Sequence, residues 1–270
     1  MFEALIEECV LRNYSKRTID IYLHYNKHFI KMCKKVPHEV TQKDIRWYLG
    51  VLIRWNKSPS TVNLAHNALI FYYGQILKRK FFDIPFQKKH IKVKQILTKN
   101  EIKRLISSTN NLKHRLVMSM LYSTGARVSE LIKIKVDDIY FEEKLLLVRE
   151  GKGMKDRYTI ISDKNILDIK SYLDKRKVKS DYLFEARGSH ITAKTVQAIL
   201  IKARRVAKVR KNVTPHVFRH SFATHLKDDG IEDSLLQKLM GHGNYKTTQT
   251  YARVTSCHFQ KIKNPHDLLY

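Results

Sequence analysis

The sequence is poor in the features that mark disulfide frameworks, metal centres and membrane spans. Its 3 cysteines, Cys9, Cys33 and Cys257, form neither a CxxC pair nor a zinc-like spacing. No apolar run approaches the ~18 residues that a membrane-spanning helix requires. The first residues include Glu3 and lack the apolar region of a secretory signal. We therefore expect reduced thiols, no membrane association and a cytoplasmic protein.

Acidic residues are scarce as well. There are 25 Asp+Glu against 52 Lys+Arg, a formal net charge of +27. Residues 1–95 carry 18 basic and 7 acidic side chains, hence +11, and the remainder carries 34 and 18, hence +16. A solvated, lysine-rich surface would account for some of this excess. Because it extends over the whole chain, however, a polyanionic partner, namely nucleic acid, is the favoured interpretation.

The helical periodicity of apolar residues is interrupted near residues 85–96. Before it, residues 1–84 show helical periodicity, with a capping box at Thr41–Asp44 and a further helix start at Ser58. We expect four or so short helices here, forming a small all-α domain. Residues 85–96 include Pro85 and several basic residues, and we interpret them as an extended cationic linker.

Beyond the linker the pattern is again mostly helical. Apolar alternation predicts a single strand pair, 145–150 and 157–162, around the turn GKGMKD. The fold class predicted is mainly α (α+β): a mostly α domain over 97–255 with one small antiparallel sheet, then a tail over 256–270. Helices are predicted at about 99–107, 164–176, 192–207, 215–228 and 232–240.

The segment from Thr214 to Tyr251 concentrates residues suited to phosphate chemistry. Threonine followed by proline predicts a helix start, which places His216 and Arg219 on one face of the first turn. Gly241 is expected to end a later helix in a left-handed cap, just before a second histidine. A phenol has a pKa of ~10, so attack by Tyr251 at neutral pH needs cationic neighbours or a base.

Other segments supply the missing groups. Two arginines can hold the non-bridging oxygens of a phosphodiester without a metal, and the candidates are Arg219 and Arg127. Lys152, between two glycines of the hairpin, is a mobile donor for the leaving 5′ oxygen. Lys155 and Arg157 beside it are interpreted as phosphate contacts. A metal site at the His-x-x-Arg pair is disfavoured because arginine repels cations and no third ligand accompanies it.

Four segments together resemble the tyrosine recombinases, the phage integrase and Xer family. They are STGARVSEL (123–131), VREGKGMKDR (148–157), TPHVFRHSFATHL (214–226) and LMGHGNYKTTQTY (239–251), and the likeness covers about 96–255. Two departures, at Ala126 and in the Gly-Asn pair after His242, remove no functional group. The N-terminal helices resemble the SAM-like core-binding domain of the family, with weaker sequence support.

The resemblance implies a catalytic set that needs neither metal nor cofactor. In it, two arginines hold the phosphate, a lysine is the general acid, two histidines assist proton transfer, and a tyrosine forms a 3′-phosphotyrosine. The six residues are Arg127, Lys152, His216, Arg219, His242 and Tyr251. Glu130 stands where the family often has an acidic residue that supports the site.

The implied function is Xer-like site-specific recombination of duplex DNA with inverted-repeat arms, passing through a Holliday junction. The resemblance also implies a homotetramer on DNA, which is a monomer or dimer when free. It further implies a cytoplasmic, nucleoid-associated location. Resolution of chromosome or plasmid dimers is favoured because no arm-binding domain is expected before residue 10. Integration of a mobile element, type IB topoisomerase-like relaxation and a DNA-binding module with a decayed site are the alternatives.

Several further predictions concern single side chains. We predict DNA-backbone contacts from five residues, Arg54, Lys57, Thr61, Arg204 and Arg205. Trp47 and Trp55 are expected to pack in a core rather than stack on bases. His220 and His225 are expected to be structural. In the tail, the apolar residues Ile262, Leu268 and Leu269 suit docking on a neighbouring subunit.

Overall fold

The computed structural model describes residues 2–79, 84–88, 95–149, 156–241 and 262–270. The chain divides into two compact units, residues 1–92 and 93–270. Four residues with predicted roles, Lys152, Lys155, His242 and Tyr251, lie outside the described ranges. Among the described residues, no helix has both the length and the apolar character that crossing a membrane requires.

The described part of the N-terminal unit is helical. Its helices are α1 (Glu3–Leu11), α2 (Lys16–Cys33), α3 (Gln42–Arg54) and α4 (Pro59–Ile70), and α4 continues as a π-helical turn over Phe71–Ile76. Ser15 and Ser58 cap α2 and α4 through their side chains. The predicted capping box of Thr41 and Asp44 is confirmed at the start of α3. Local sequence signals therefore decide where three of these helices begin.

The core of this unit lies where α2, α3 and α4 meet. Val40 and Ile45, on either side of the α3 cap, are both fully buried in this core, which is the placement of a hydrophobic staple. Asn26 of α2, also fully buried, donates from Nδ2 to the Ala68 carbonyl at 3.0 Å. This bond ties α2 to α4 and gives a buried amide a partner inside the core.

Both tryptophans lie outside this core, so the prediction that they are core residues is wrong. Trp47 is 45% exposed and Trp55 is 52% exposed. Trp47 lies on the side of α3 opposite its buried neighbours Ile45 and Leu49, which supply the core face. Trp55 follows the last residue of α3, and its ring contacts His28 edge-on at 6.2 Å between centroids. The large apolar ring of tryptophan favoured a prediction of burial. The exposure of these two residues is instead determined by their positions on and just after α3.

The first part of the predicted linker is fastened to α4. Asn63 bonds the backbone of Gln87 twice: its Oδ1 accepts from the Gln87 N–H at 2.8 Å, and its Nδ2 donates to the Gln87 carbonyl at 2.9 Å. Ile84 is buried, and the rings of Phe86 and His66 lie 4.4 Å apart. Residues 84–88 are therefore part of the N-terminal unit rather than a free extended chain.

The C-terminal unit is mostly helical in its described part. Its helices are α5 (Lys99–Ile106), α6 (Leu112–Thr124), α7 (Val128–Leu131), α8 (Asp163–Lys175), α9 (Ala193–Val206), α10 (Pro215–Asp228) and α11 (Asp233–Met240). A second capping box, Thr98 with Glu101, starts α5 at the predicted position. Helix α6 is the centre: every residue from Leu116 to Thr124 is buried, against α5, α8, α9 and α10 among others.

The strands form two small antiparallel sheets. The first has the order β1 (Ile139–Tyr140), β2 (Leu145–Val148), β3 (Arg157–Ile160), with Leu145 opposite Ile160. The second pairs β4 (Glu185–Ala186) with β5 (Ser189–His190). The mainly α fold class is confirmed, but the prediction of a single strand pair is wrong. Strands of two residues are too short to show alternation in the sequence.

The C-terminal segment packs on the unit to which it belongs. Leu269 is buried and Ile262 contacts the same core, whereas Leu268 is 49% exposed. The Asp267 carboxylate accepts from the backbone N–H groups of Asp163 and Lys164, both at 3.1 Å, at the start of α8. Ile262 and Leu269 therefore pack on the core of their own chain, and docking of the tail on a neighbouring subunit stays a prediction.

Candidate active site

Arg127 is placed by the abrupt turn between α6 and α7. Gly125 ends α6 with a φ of 59°, in the left-handed region that glycine enters most easily. Arg127 then caps α7, and Glu130 accepts twice from it: from its backbone N–H at 2.8 Å and from Nη1 at 2.6 Å. One carboxylate therefore holds both the main chain and the guanidinium of Arg127, which stays partly exposed.

Glu130 is held in turn by Arg157 of β3. Arg157 donates from Nη1 to Oε1 at 2.9 Å and from Nη2 to Oε2 at 2.7 Å, a bidentate pair. Burial raises the pKa of Glu130, but hydrogen bonds and charge from Arg157 and Arg127 outweigh it and bring the pKa to about 2. Glu130 is therefore a buried anion at neutral pH.

Arg219 joins the ends of two helices. It lies on α10 and is buried, with Nη1 donating to the Gly125 carbonyl at 2.5 Å and Nη2 to the Met240 carbonyl. Burial, with the nearby charges of Arg127 and Arg157, lowers its pKa to about 10. At neutral pH this guanidinium is still charged, and its position is fixed by the turns before Arg127 and at the end of α11.

His216 lies at the start of the helix that carries Arg219. The Thr214 hydroxyl accepts from the Val217 N–H at 3.2 Å, and Pro215 is the first helical residue, as predicted. His216 is exposed in the first turn, three positions before Arg219. The local sequence thus places an exposed imidazole one turn from a buried guanidinium.

The described part of α11 ends beside Arg157. Gly241 follows the helix with a φ of 62°, the left-handed cap expected from the sequence. The Leu239 carbonyl accepts from Arg157 Nε at 3.1 Å. A β-carbon at Gly241 would lie 2.8 Å from Arg157 Cδ, so this glycine permits the close approach. Arg157 and Arg219 together hold the residues that directly precede His242.

Polar contacts that sequence reasoning missed brace the end of α6. The Tyr122 hydroxyl lies 2.7 Å from His225 Nδ1, in agreement with a structural role for His225. Thr159 of β3 donates to the Thr124 carbonyl at 2.9 Å, and Asn264 Nδ2 donates to the Ser123 carbonyl at 2.9 Å. No local sequence pattern marks these residues, because their partners are 35 to 141 positions away.

The predicted backbone contacts differ in their surroundings. Arg54, Lys57 and Arg205 are exposed. The Thr61 hydroxyl lies 2.9 Å from that of the helix-capping Ser58. Arg204 donates to two carbonyls beyond the end of α9, at 3.2 and 2.8 Å. Arg204 therefore braces the loop that follows α9, a role that was not predicted.

Three guanidiniums around one carboxylate leave the site with a net positive charge in a strongly basic chain. Arg127, Arg157 and Arg219 supply the cations, and Glu130 supplies the anion. Charge-assisted hydrogen bonds from arginine match the oxygens of a phosphate. By its fold and charge this is a helical protein with a positively charged cluster whose chemistry suits an anionic ligand such as a phosphodiester.

Comparison with known proteins agrees with this class. Residues 95–258 match the phage integrase family, and residues 1–83 match the phage integrase N-terminal SAM-like domain. The chain is 36% identical over 262 residues to the tyrosine recombinase XerA of Pyrococcus horikoshii, covering 93% of this chain and 88% of that protein. The chain therefore belongs to the phage integrase family, and it is a Xer-like tyrosine recombinase, as its motifs indicated.

Solved structures show the same fold. A crystal structure of XerA recombinase is 27% identical, with a TM-score of 0.53, and the match covers 95% of this chain and 97% of that one. The Tn1549 transposon integrase, solved in complex with circular intermediate DNA, has a TM-score of 0.73 at 18% identity, covering 93% of this chain and 97% of the other.

Proposed function

We propose that this chain is a site-specific recombinase that cuts one strand of duplex DNA with Tyr251 and rejoins it without metal or ATP. The observation that carries the proposal is the arrangement of Arg127 and Arg219 around a buried, ionised Glu130. Membership of the tyrosine recombinase family supplies the reaction type.

In the proposed reaction, Arg127 and Arg219 bind the non-bridging oxygens of the scissile phosphate. Negative charge grows on these oxygens as phosphorus becomes five-coordinate, so fixed guanidiniums stabilise the transition state more than the ground state. Glu130 and the Gly125 carbonyl support this role because they hold the two arginines before DNA arrives. Little reorganisation is then needed during the reaction.

The covalent step uses residues on other segments. The Tyr251 oxygen forms a bond to phosphorus while the bond to the 5′ oxygen breaks, and Lys152 gives that oxygen its proton. His216 and His242 assist proton transfer, including removal of the phenol proton of Tyr251, and hydrogen-bond the phosphate. The products are a 3′-phosphotyrosine and a 5′-hydroxyl. Attack by a 5′-hydroxyl on the phosphotyrosine reverses the step and rejoins the DNA.

We propose that the partner is duplex DNA with inverted-repeat arms, bound by a homotetramer. Residues 1–84 and 97–255 would bind the duplex as two domains connected through 85–96, and the net charge of +27 supports a phosphate-rich ligand. Similarity to XerA proteins along nearly the whole chain favours dimer resolution. Integration is the second candidate, because a 31%-identical relative from Sinorhizobium fredii is named a putative integrase/recombinase.

The test begins with selection of bound fragments from a genomic library, followed by a nicked suicide substrate built on the selected site. Wild-type protein is expected to form a covalent adduct, and Tyr251→Phe none. Absence of an adduct from wild-type protein on DNA that it binds tightly would favour a binding module instead. Rapid relaxation of supercoiled DNA without that site would favour a topoisomerase.

A further inference from the structure

We infer that Arg157 is a positioning residue of the recombination site: by holding Glu130, it sets the orientation of Arg127. The inference deepens the proposed function and rests on it for the role of Arg127. It replaces the sequence-based interpretation of Arg157 as a phosphate contact, and it gives this side chain a part in the reaction without contact with the DNA.

All three guanidinium nitrogens of Arg157 have partners within the protein. The two terminal nitrogens bond one oxygen each of Glu130, at 2.9 and 2.7 Å, and Nε donates to the Leu239 carbonyl at 3.1 Å. Burial does not separate Arg157, whose side chain is 9% exposed, from Arg219, which is 4% exposed. Their partners do, because the terminal nitrogens of Arg219 bond neutral backbone carbonyls and those of Arg157 bond a carboxylate. A phosphate could reach Arg157 only by displacing a buried carboxylate, which is a costly exchange.

The chain from Arg157 to the proposed phosphate site has two links. Arg157 fixes both oxygens of Glu130, and the same two oxygens accept from the backbone and the Nη1 of Arg127. Because one carboxylate serves both arginines, a shift of Glu130 moves Arg127 with it. The bidentate pairing leaves Glu130 little rotational freedom, which is the geometry expected of a supporting residue.

Arg157 also touches the segment that leads to His242. Its Nε bond to Leu239 and its close approach to Gly241 hold the end of α11 against β3. In the sequence, Arg157 follows the hairpin lysine Lys152 by five positions. Arg157, on β3, therefore contacts both Glu130, which holds Arg127, and the end of α11.

The charge of Glu130 depends on this contact. Three cationic groups act around Glu130 in the described structure, Arg157, Arg127 and Arg219. Burial raises the pKa of Glu130, and Arg157 is the largest of the influences that lower it. Without Arg157, we expect Glu130 to take up a proton in weakly acidic solution. A neutral carboxyl group is a poorer partner for Arg127.

The experiment measures single-turnover adduct formation on the nicked substrate from pH 5 to pH 8. Arg157→Gln is expected to react about ten-fold more slowly than wild type at pH 7.5, the size of effect typical of supporting residues. Its deficit should grow below pH 6, where wild type shows no matching loss. Arg157→Lys should recover part of the rate, because it restores the charge without the bidentate geometry.

DNA binding provides the second readout. Loss of a phosphate contact lowers the slope of log affinity against log salt by about 0.9. Arg157→Gln should leave this slope unchanged, whereas a phosphate contact would reduce it. The exposed Arg205→Gln, at a predicted DNA-backbone contact, is the positive control and should lower the slope by about that amount. Glu130→Gln should slow adduct formation, but its rate deficit relative to wild type should not grow below pH 6. The double variant Glu130→Gln/Arg157→Gln should likewise show no growth of the deficit at low pH.

A measurement without DNA separates this inference from the proposed function. In protein labelled at the glutamate carboxyl carbons, the NMR signal of Glu130 should stay in its ionised position down to pH 4 in wild type and titrate at higher pH in Arg157→Gln. If Arg157→Gln does not fold, Arg157→Lys undergoes the same measurements. If the folded variant shows the same Glu130 titration and the same pH profile as wild type, the inference is overturned. If wild-type protein forms no adduct, the proposed function is overturned instead.

Discussion

Gly125 lies directly against the ring of Phe222, with no room for a side chain between them. A β-carbon at Gly125 would be 2.4 Å from Phe222 Cδ1 and 2.7 Å from Cε1. The same glycine has a φ of 59°, and its carbonyl accepts from Arg219. The contact between the end of α6 and α10 therefore sets the path of the chain into Arg127.

Replacement of this glycine is the first prediction. Gly125→Ala should lower the free energy of unfolding by about 2–4 kcal/mol, combining left-handed strain with overpacking against Phe222. Gly230→Ala is the matched control, because its φ is 87° but nothing lies within 4 Å of an added β-carbon. It should cost only the strain, about 1 kcal/mol. Equal losses in urea denaturation would contradict the role of the Phe222 contact.

The second prediction concerns the buried pair of Tyr122 and His225. Tyr122→Phe leaves His225 Nδ1 without its partner at 2.7 Å and should cost about 1–3 kcal/mol. The double variant Tyr122→Phe/His225→Leu should lose less than the sum of its single changes, because both polar groups are then removed. Since His225 is structural here, adduct formation by folded Tyr122→Phe should stay close to the wild-type rate. A large rate loss in folded protein would assign the pair to the chemistry.

The third prediction is a pH dependence of stability from His266. This ring is fully buried, with Nδ1 2.7 Å from the Ser162 hydroxyl, and burial, then the charge of Lys164, lowers its pKa to about 4. Unfolded histidine titrates near pH ~6.5, so between these values the unfolded state binds more protons. Stability should therefore fall as pH decreases from ~6.5 towards 4, by at most about 3 kcal/mol from this group.

Urea denaturation at pH 7 and pH 5 measures that dependence. His266→Gln should show a smaller difference between the two pH values than wild type. The exposed His38→Gln is the control, and it should keep the wild-type difference. If His266→Gln keeps it as well, the imidazole of His266 is not the group that titrates.

The fourth prediction concerns the Asn63 contact with Gln87. Asn63→Ala removes both hydrogen bonds that fasten residues 84–88 to α4. A protease should therefore cleave that segment faster than in wild type. Asn63→Asp keeps the acceptor for the Gln87 N–H but not the donor, so an intermediate rate is expected. Cleavage rates that do not differ among the three proteins would show that Ile84 and Phe86 hold the segment unaided.

Features that depend on neighbouring residues were predictable from the sequence. The capping box at Thr41–Asp44, the Thr214-Pro215 helix start and the left-handed cap at Gly241 are confirmed, since each needs only a few consecutive residues. The long helices of the C-terminal unit begin and end within about two residues of their predicted limits, because their apolar period is regular.

Features that depend on distant contacts were not predictable. The partner of Arg157 is 27 positions away, and no local pattern distinguishes a buried arginine from a phosphate contact in so basic a chain. The C-terminal segment resembles a free tail until the burial of His266 and Leu269 is seen. The exposure of Trp47 depends on which face of α3 meets α2 and α4, and the tertiary packing decides that.

The identity of the nucleophile is the central claim, and mapping of the covalent adduct tests it most directly. After reaction with the suicide substrate, the protein is digested and the peptide that carries nucleotides is identified by mass spectrometry. The chain has 14 tyrosines, so the result discriminates strongly. The account predicts a single modified peptide with the phosphate on Tyr251. DNA attached to another residue, or an adduct that persists in Tyr251→Phe, would contradict it.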